Sequence, residues 1–272
     1  MNLKLIVVSY NQEVKNSPVI RAYLNSQLLP SDLIIVDNST DSQKKNLNQK
    51  YCENLYINYL DMDGNVGLSK AYNQALKSIG YLNEDCWYMI FDQDTVIDKE
   101  YFNVVLKSIE STKEIKIHVP IVYSKNGLFS PLKIKKNKFL AFDVKAGIYE
   151  QLACINSGVV VHSSVYRDFG LYDEDLFLDL VDYNFFKQIY KINSEFKINV
   201  MDYSLQQNFS GESYENIDGD LRRFQIYKRD YIVYCNKNKI HFFSKNLTLY
   251  KRAFNLMIKY KKYHFLRVLF WD

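Results

Sequence analysis

Glycine and proline are scarce, 9 and 4 among 272 residues, and no repeat, low-complexity tract or clear linker divides the chain. Cysteine is thin as well. Cys52, Cys86, Cys154 and Cys235 are scattered without a C-x-x-C pair, so neither a zinc ribbon nor a dithiol redox motif is indicated, and reduced cytoplasmic thiols are the plain reading. The four histidines, His118, His162, His241 and His264, lack metal-ligand spacing and read as structural or surface residues. The sequence contains no G-x-S-x-G elbow, P-loop or H-E-x-x-H, which argues against hydrolases, NTPases and zinc proteases of the common types. Its first residues, MNLKLIVVSYN, are too short in apolar length for a signal peptide, and no run approaches the ~20 apolar residues that span a bilayer. A cytoplasmic protein is expected, peripheral at the inner face of the membrane.

Apolar residues, at 47%, are plentiful enough for a sizeable core and exclude wholesale disorder. The length suits one large α/β domain with an appendage. Charge is unevenly placed. From Leu221 onward, 13 Lys and Arg stand against Asp230 and Asp272, a balance of +11; the overall +4 then leaves −7 for residues 1–220. A basic tail on an acidic body is suited to an anionic surface.

Three apolar runs read as buried strands of a parallel sheet: LKLIVVSYN near the start, continuous and β-branched, LIIVDNS at 33–39 and CWYMIFDQD at 86–94. LYINYLD at 55–61 adds a fourth. Between them lie a helical stretch around 19–27 and an amphipathic helix in GNVGLSKAYNQALKSIG, with Leu68, Ala71, Tyr72, Ala75 and Leu76 on one face. This alternation predicts a parallel sheet with helices on both faces. In such sheets ligands bind beyond the carboxyl ends of the strands, where Ser9, Tyr10, Asn11, Asp37, Asn38, Asp92 and Asp94 fall. Residues 101–150 are less legible; SKNGLFSPLKIKKNKF reads as an exposed basic loop or hairpin. INSGVVVHS is a further strand, FGLYDEDLFLDLVDYNFFKQIYK leads into a helix, FKINVMDYSLQQN is a last strand, and basic, aromatic helices follow Leu221.

Asp92 and Asp94 end an apolar strand, although aspartate is a poor strand former and costly to bury unpaired. Two carboxylates at this spacing can converge on a divalent cation and a ribose hydroxyl; solvated turn acids are the plain alternative. Asp37 can accept from a nucleobase or ribose, while the residues after it read as an ordinary turn. GNVG lacks the dinucleotide fingerprint, and it reads either as a helix N-terminus facing an anion or as a plain Gly-containing strand–helix turn. Asp179 and Asp182, three apart, are either a general base at the sheet edge or acids complementing a helix dipole.

Together, IVVSYN, LIIVDNST, GNVGLSKAYNQAL, FDQD, INSGVVV, FGLYDEDLFLDLVDYNF and SGE resemble the family-2 glycosyltransferases, inverting enzymes with the GT-A nucleotide-diphospho-sugar transferase fold. FDQD with LFLDLVDYNFF is most similar to the rhamnosyltransferase-type branch that builds bacterial O-antigen and capsule. The resemblance implies a mostly parallel central sheet flanked by helices: a catalytic domain at 1–220, with nucleotide-binding half 1–98 and acceptor half 99–220, and a helical extension at 221–272. It implies that Val8, Tyr10 and Asp37 line the base pocket and that Asn65, Gly67 and Asn73 form the neighbouring wall. It implies that Asp92 contacts ribose, that Asp94 with Asp92 holds Mn²⁺ or Mg²⁺, that Asn156 and Gly158 bind substrate, and that Asp182 is the catalytic base, with Asp179 its rival.

Three positions depart from the family pattern. Asn184 replaces a second acid, Lys187 or Gln188 replaces an arginine, and Asn208 or Gln207 stands where a histidine is usual. The implied donor is a nucleotide sugar, best dTDP-L-rhamnose, and the acceptor a lipid-linked oligosaccharide. A UDP-hexose donor and a non-catalytic sugar-nucleotide-binding relative are the alternatives. FNLMIKYKKYHFLRVLFWD suits inner-leaflet contact, a core-facing helix or a homodimer; no RNP or OB-type signature supports nucleic acid.

Overall fold

The computed structural model describes residues 2–82, 85–207 and 217–270. Its first half alternates strictly: β1 (Leu3–Ser9), α1 (Pro18–Leu24), β2 (Leu33–Asp37), α2 (Ser42–Asn54), β3 (Asn58–Asp61), α3 (Leu68–Ser78), β4 (Trp87–Asp92) and α4 (Glu100–Ser111). β1, β2 and β4 are apolar at nearly every position because both sheet faces are covered. Ile6, Val8, Ile34, Val36, Tyr88 and Ile90 pack on one side with Ala71, Tyr72, Ala75 and Leu76 of α3. Their neighbours Leu5, Val7, Leu33, Ile35, Met89 and Phe91 pack on the other with Ile20 and Tyr23 of α1 and Phe102 and Val105 of α4.

The second half holds β5 (Ile117–Ser124), β6 (Gly127–Ser130), β7 (Leu132–Lys135), β8 (Lys138–Leu140), β9 (Gly147–Glu150), β10 (Leu152–Ala153), β11 (Val159–His162), α5 (Ser163–Phe169), α6 (Val181–Ile192) and β12 (Lys197–Gln206). Among the described residues the main sheet runs β3-β2-β1-β4-β11-β5-β12-β9, with β6 on β5. β11 is antiparallel to both β4 and β5, so β1, β2, β4, β5 and β12 all send their carboxyl ends to one edge. There Val8 pairs with Asp92 and Ser9 with Asp37, which aligns the polar strand exits. Of the two forms expected for the basic stretch, loop or hairpin, it takes the hairpin: β6 turns back on β5 in the main sheet, and β7 pairs with β8, joined by β10 in a small antiparallel sheet.

Three helices close the chain: α7 (Ile217–Lys237), α8 (Phe242–Tyr260) and α9 (His264–Arg267). The division expected at 220/221 falls inside α7, which is anchored at both ends. Phe224 packs with Ala253, Phe265 and Val268, whereas Tyr234 and Cys235 join the core of the main body. All four cysteines are buried free thiols. His118 bonds Ser108 and lies beside Asn199, His162 caps α5, and His241 caps α8. No helix among the described residues is long and apolar enough to cross a membrane.

Candidate active site

A cavity of about 660 Å³ opens at the carboxyl edge. Val8, Tyr10, Asn65, Gly67, Asp92 and Asp94 line it, joined by Asn38, Gln93, Phe177, Leu178, Gln207, Arg222 and Arg223. Gln93, the residue between the two aspartates, fixes this corner. Its Oε1 accepts the Tyr10 N–H at 2.8 Å and the Ser9 hydroxyl at 3.1 Å, while its carbonyl accepts the Ser17 hydroxyl at 2.6 Å. The exit of β4 is thereby tied to the exit of β1. On the facing wall, Asn65 accepts from Asn38 and from the Gly67 N–H. Gly67 sits at φ +89°, and a Cβ there would meet Phe177 at 2.7 Å, so glycine is required twice over.

Six of the expected residues are not part of this lining: Asp37, Asn73, Asn156, Gly158, Asp179 and Asp182. The Asp37 carboxylate is fully buried and accepts from the Ser39 N–H, the Asn48 amide and the Tyr59 hydroxyl. Those three bonds satisfy a buried charge within the protein. Asn73 clasps Tyr172 through both its N–H and its carbonyl and also reaches Glu174. Asn156 accepts the Tyr172 hydroxyl at 3.1 Å. Gly158, at φ +84°, leaves no room for a Cβ beside Pro120. Asp179 and Asp182 belong to the loop that leads into α6 and its first turn.

That loop is held from three sides. The α3 N-terminus accepts it: Leu68 N–H donates to the Phe177 carbonyl at 2.6 Å, and the Ser69 hydroxyl donates to the Leu176 carbonyl. Of the two readings of GNVG, the structure matches the plain Gly-containing strand–helix turn, and the helix start is occupied by the protein's own backbone. Lys237 of α7 bonds Asp173 and Asp175, each at 2.6 Å. Asp230, fully buried in α7, accepts the N–H groups of Phe177, Leu178 and Asp179 at 3.0, 2.7 and 2.8 Å. Asp179 itself is gripped at two points by Arg223. These anchors hold Leu180 at φ +62°, a left-handed conformation worth roughly 1–2 kcal/mol of strain, and the turn it makes starts α6.

Sequence reasoning missed Gln93, Asp230, Arg222 and Arg223. The first lies within FDQD and is visible there. Asp230 carries a fainter signal, since it is the lone acid between Leu221 and Trp271. Asn184 and Lys187 have structural partners: Asn184 bonds Asp173 and Asn238, and Lys187 is buried, donates to Asn137 and sits 5.3 Å from the Tyr234 ring centre. Asn208 lies outside the described residues. Gln207 is buried on the cavity wall, and its Oε1 has no partner among them.

The electrostatics separate these acids. Asp92 accepts from the Ser157 hydroxyl at 2.5 Å and weakly from Tyr72 at 3.4 Å, both neutral. Asp94 is at the solvent-open rim, yet enclosure by the wall, and then the Asp92 charge, raise its pKa above the usual carboxylate range. Burial pushes Asp182 up to about 7, aided by the charges of Asp92 and Asp179 and opposed by the Tyr183 N–H at 2.8 Å. None of these three has an ion-pair partner among the described residues. Two carboxylates and an orphaned amide oxygen in one cavity are hard oxygen donors of the kind that a divalent cation takes. No group of three His, Cys, Asp or Glu side chains could hold a metal alone among the described residues.

Comparison with known proteins bears on the same segments. Residues 4–170 match the sequence model of "Glycosyl transferase family 2". The dTDP-rhamnosyl transferase RfbF of Shigella flexneri is 28% identical over 187 residues, 66% of this chain and 60% of that protein, less than two thirds of its length. Among solved structures, S. aureus TarS 1–349 in complex with UDP-GlcNAc is 16% identical with a TM-score of 0.56, over 85% of this chain and 67% of that one. The mannosyltransferase PcManGT from Pyrobaculum calidifontis, in complex with GDP-Man and Mn²⁺, is 10% identical with a TM-score of 0.57, over 86% and 64%. The structural likenesses show the GT-A fold. The family match covers more than half of the sequence, and the chain belongs to glycosyl transferase family 2.

Proposed function

We propose that this glycosyltransferase moves a sugar, best L-rhamnose from dTDP-L-rhamnose, to a lipid-linked glycan acceptor in bacterial surface polysaccharide synthesis (O-antigen or capsule), with inversion at the anomeric carbon. The observation that carries the reading is the pair Asp92 and Asp94, which share the strand-exit cavity with Arg222 and have no cationic partner among the described residues. The rhamnosyl relative supports the choice of sugar.

In this reading the nucleoside lies against Val8, Tyr10, Asn38 and Asn65, with its diphosphate toward Asp92–Gln93–Asp94. Asp94, Asp92 and the Gln207 Oε1 would hold Mn²⁺ or Mg²⁺, which would supply charge neutralisation for the departing diphosphate. Arg222, exposed on the facing helix, adds a second positive charge to the same diphosphate. The acceptor hydroxyl attacks the anomeric carbon from the face opposite the leaving group. Its proton passes to the Asp182 carboxylate, and the anomeric C–O bond breaks with its electron pair leaving on the diphosphate. A base pKa raised toward neutrality suits that transfer. Asp179 is the weaker candidate, because its carboxylate is already neutralised by Arg223.

The test is binding and hydrolysis of dTDP-rhamnose, UDP-galactose, UDP-glucose and UDP-N-acetylglucosamine, with and without Mn²⁺. Mn²⁺-dependent binding of dTDP-rhamnose is expected, weakened about 100-fold by Asp94→Ala, which would take a charged oxygen donor from the cation. Preference for a UDP-hexose would overturn the sugar assignment, and metal-independent binding would overturn the role of Asp94.

A further inference from the structure

Helix α8 has two apolar faces. Leu249 and Ala253 are buried, with Leu256 and Tyr260 half-buried on the same side. Phe243, Leu247, Tyr250, Phe254 and Ile258 form a second row at spacings of 4, 3, 4 and 4, about 120° around the axis from the first and about 22 Å long. Every residue of this row faces solvent, from 44% exposed at Tyr250 to 75% at Phe243. Phe270, also exposed, packs its ring 6.2 Å from Tyr250 and widens the patch. Contiguous exposed apolar surface of this kind marks a docking face rather than ordinary scatter.

Charge identifies the partner. From Lys239 to Phe270 there are eight Lys and Arg and no Asp or Glu. Arg252 lies over the Tyr227 ring and Lys259 pairs with Asp220, but Lys251, Lys261, Lys262 and Arg267 are exposed around the apolar row. A second copy of this chain would press an uncompensated positive surface onto itself. Single-stranded nucleic acid would need an unbroken run of stacking platforms, and Leu247 and Ile258 interrupt the aromatics Phe243, Tyr250 and Phe254.

We propose that α8 lies in the interface of an anionic bilayer, its exposed row in the headgroup–acyl boundary and Lys251, Lys261 and Lys262 on lipid phosphates. This deepens the proposed function, on which it rests for its purpose: the same helical unit that lines the cavity through α7 brings the enzyme to a lipid-linked acceptor.

The experiment is flotation of the full chain with phosphatidylglycerol–phosphatidylethanolamine vesicles and with phosphatidylcholine vesicles, alongside nucleotide-sugar binding in solution. Expected are partition into the anionic vesicles at least about tenfold stronger than into phosphatidylcholine, weakening in about 0.5 M salt, and a loss of about tenfold or more in Leu247→Ser/Phe254→Ser/Ile258→Ser with donor binding unchanged. Lys251→Gln/Lys261→Gln/Lys262→Gln should abolish the preference for anionic lipid, and it decides the matter if the triple serine variant misfolds. Failure of the native protein to float, flotation of a folded triple serine variant at the native level, or a dimer that this variant dissolves would each overturn the proposal. Failed flotation with donor binding intact rejects only the membrane surface; intact flotation without donor binding rejects only the donor assignment.

Discussion

At the exit of β4, Asp92 accepts hydrogen bonds from neutral hydroxyls alone and Asp94 opens onto the cavity. In the loop before α6, Asp173 and Asp175 share Lys237, and Asp179 is clamped by Arg223. Both stretches are acid-rich and look equally functional as sequence. The fold neutralises one set and leaves the other, and Asp182, immediately beyond the clamped loop, sides with the unneutralised set. A carboxylate answered by a cation from a distant helix positions backbone. One left without a cation is available to a metal, a proton or a substrate.

The sharpest way to break this comparison is to exchange its two sides. Asp182→Asn is expected to lower kcat/KM about 10²–10⁴-fold with donor affinity near normal, as loss of a general base should. Asp179→Asn is expected to lower it no more than about tenfold, because its carboxylate acts on Arg223 and the loop. Steady-state transfer kinetics with both variants decide between them. The reverse ranking would make Asp179 the base and the Arg223 pair a switch rather than an anchor.

Why sequence could separate some of these roles and not others is a matter of range. β1, β2 and β4 are legible because continuous apolar runs, β-branched in β1 and β2 and largely aromatic in β4, have few alternatives, and the polar exits Tyr10 and Asp92 follow from them directly. β5 is hidden by Pro120, which has no N–H for a sheet ladder. Its partner β12 accommodates this with a register shift, pairing Val200 with Val119 but Ser204 with Ile121. Nothing local to IHVPIVYS announces that compensation. Asp37 shows the opposite failure: its place after a strand is plain in sequence, while the three groups that enclose its carboxylate come from Ser39, Asn48 and Tyr59. Asp230 is more remote still, 51 residues from Asp179 whose amide it accepts.

Asp230 gives the next test, of intermediate size. It is a positioning residue, so Asp230→Asn should act first on the loop it holds. Asparagine keeps one carbonyl acceptor and turns its amide donors toward backbone N–H groups. With hydrogen bonds to a charged acceptor contributing about 1.5–3 kcal/mol each, a net loss of about 2–4 kcal/mol is expected, or roughly 5–15 °C in Tm. Activity should fall through kcat more than through donor affinity, since the loop carries the chain into Asp182. An unchanged melting temperature would show that the loop is fixed by α3 and Lys237 alone.

The smallest expected effect tests the comparison from the side of stability. The folded pKa of Asp182, about 7, lies above its value in the unfolded chain, so the folded state holds a proton that the unfolded state releases earlier. Stability therefore falls as pH rises from the ordinary carboxylate range toward 7, and the deprotonated residue above that range weighs against the fold. Asp182→Asn removes this charge while keeping an acceptor for the Tyr183 N–H. The variant should melt about 2–4 °C above the native protein at pH 8, a gain on the order of 1 kcal/mol, and level with it near pH 4. Asp179 is paired with Arg223, so Asp179→Asn should instead lower Tm at pH 8. Opposite signs for two aspartates three residues apart would separate the carboxylate kept for chemistry from the one kept for structure. Equal signs would mean that the cation beside Asp179 does not distinguish them.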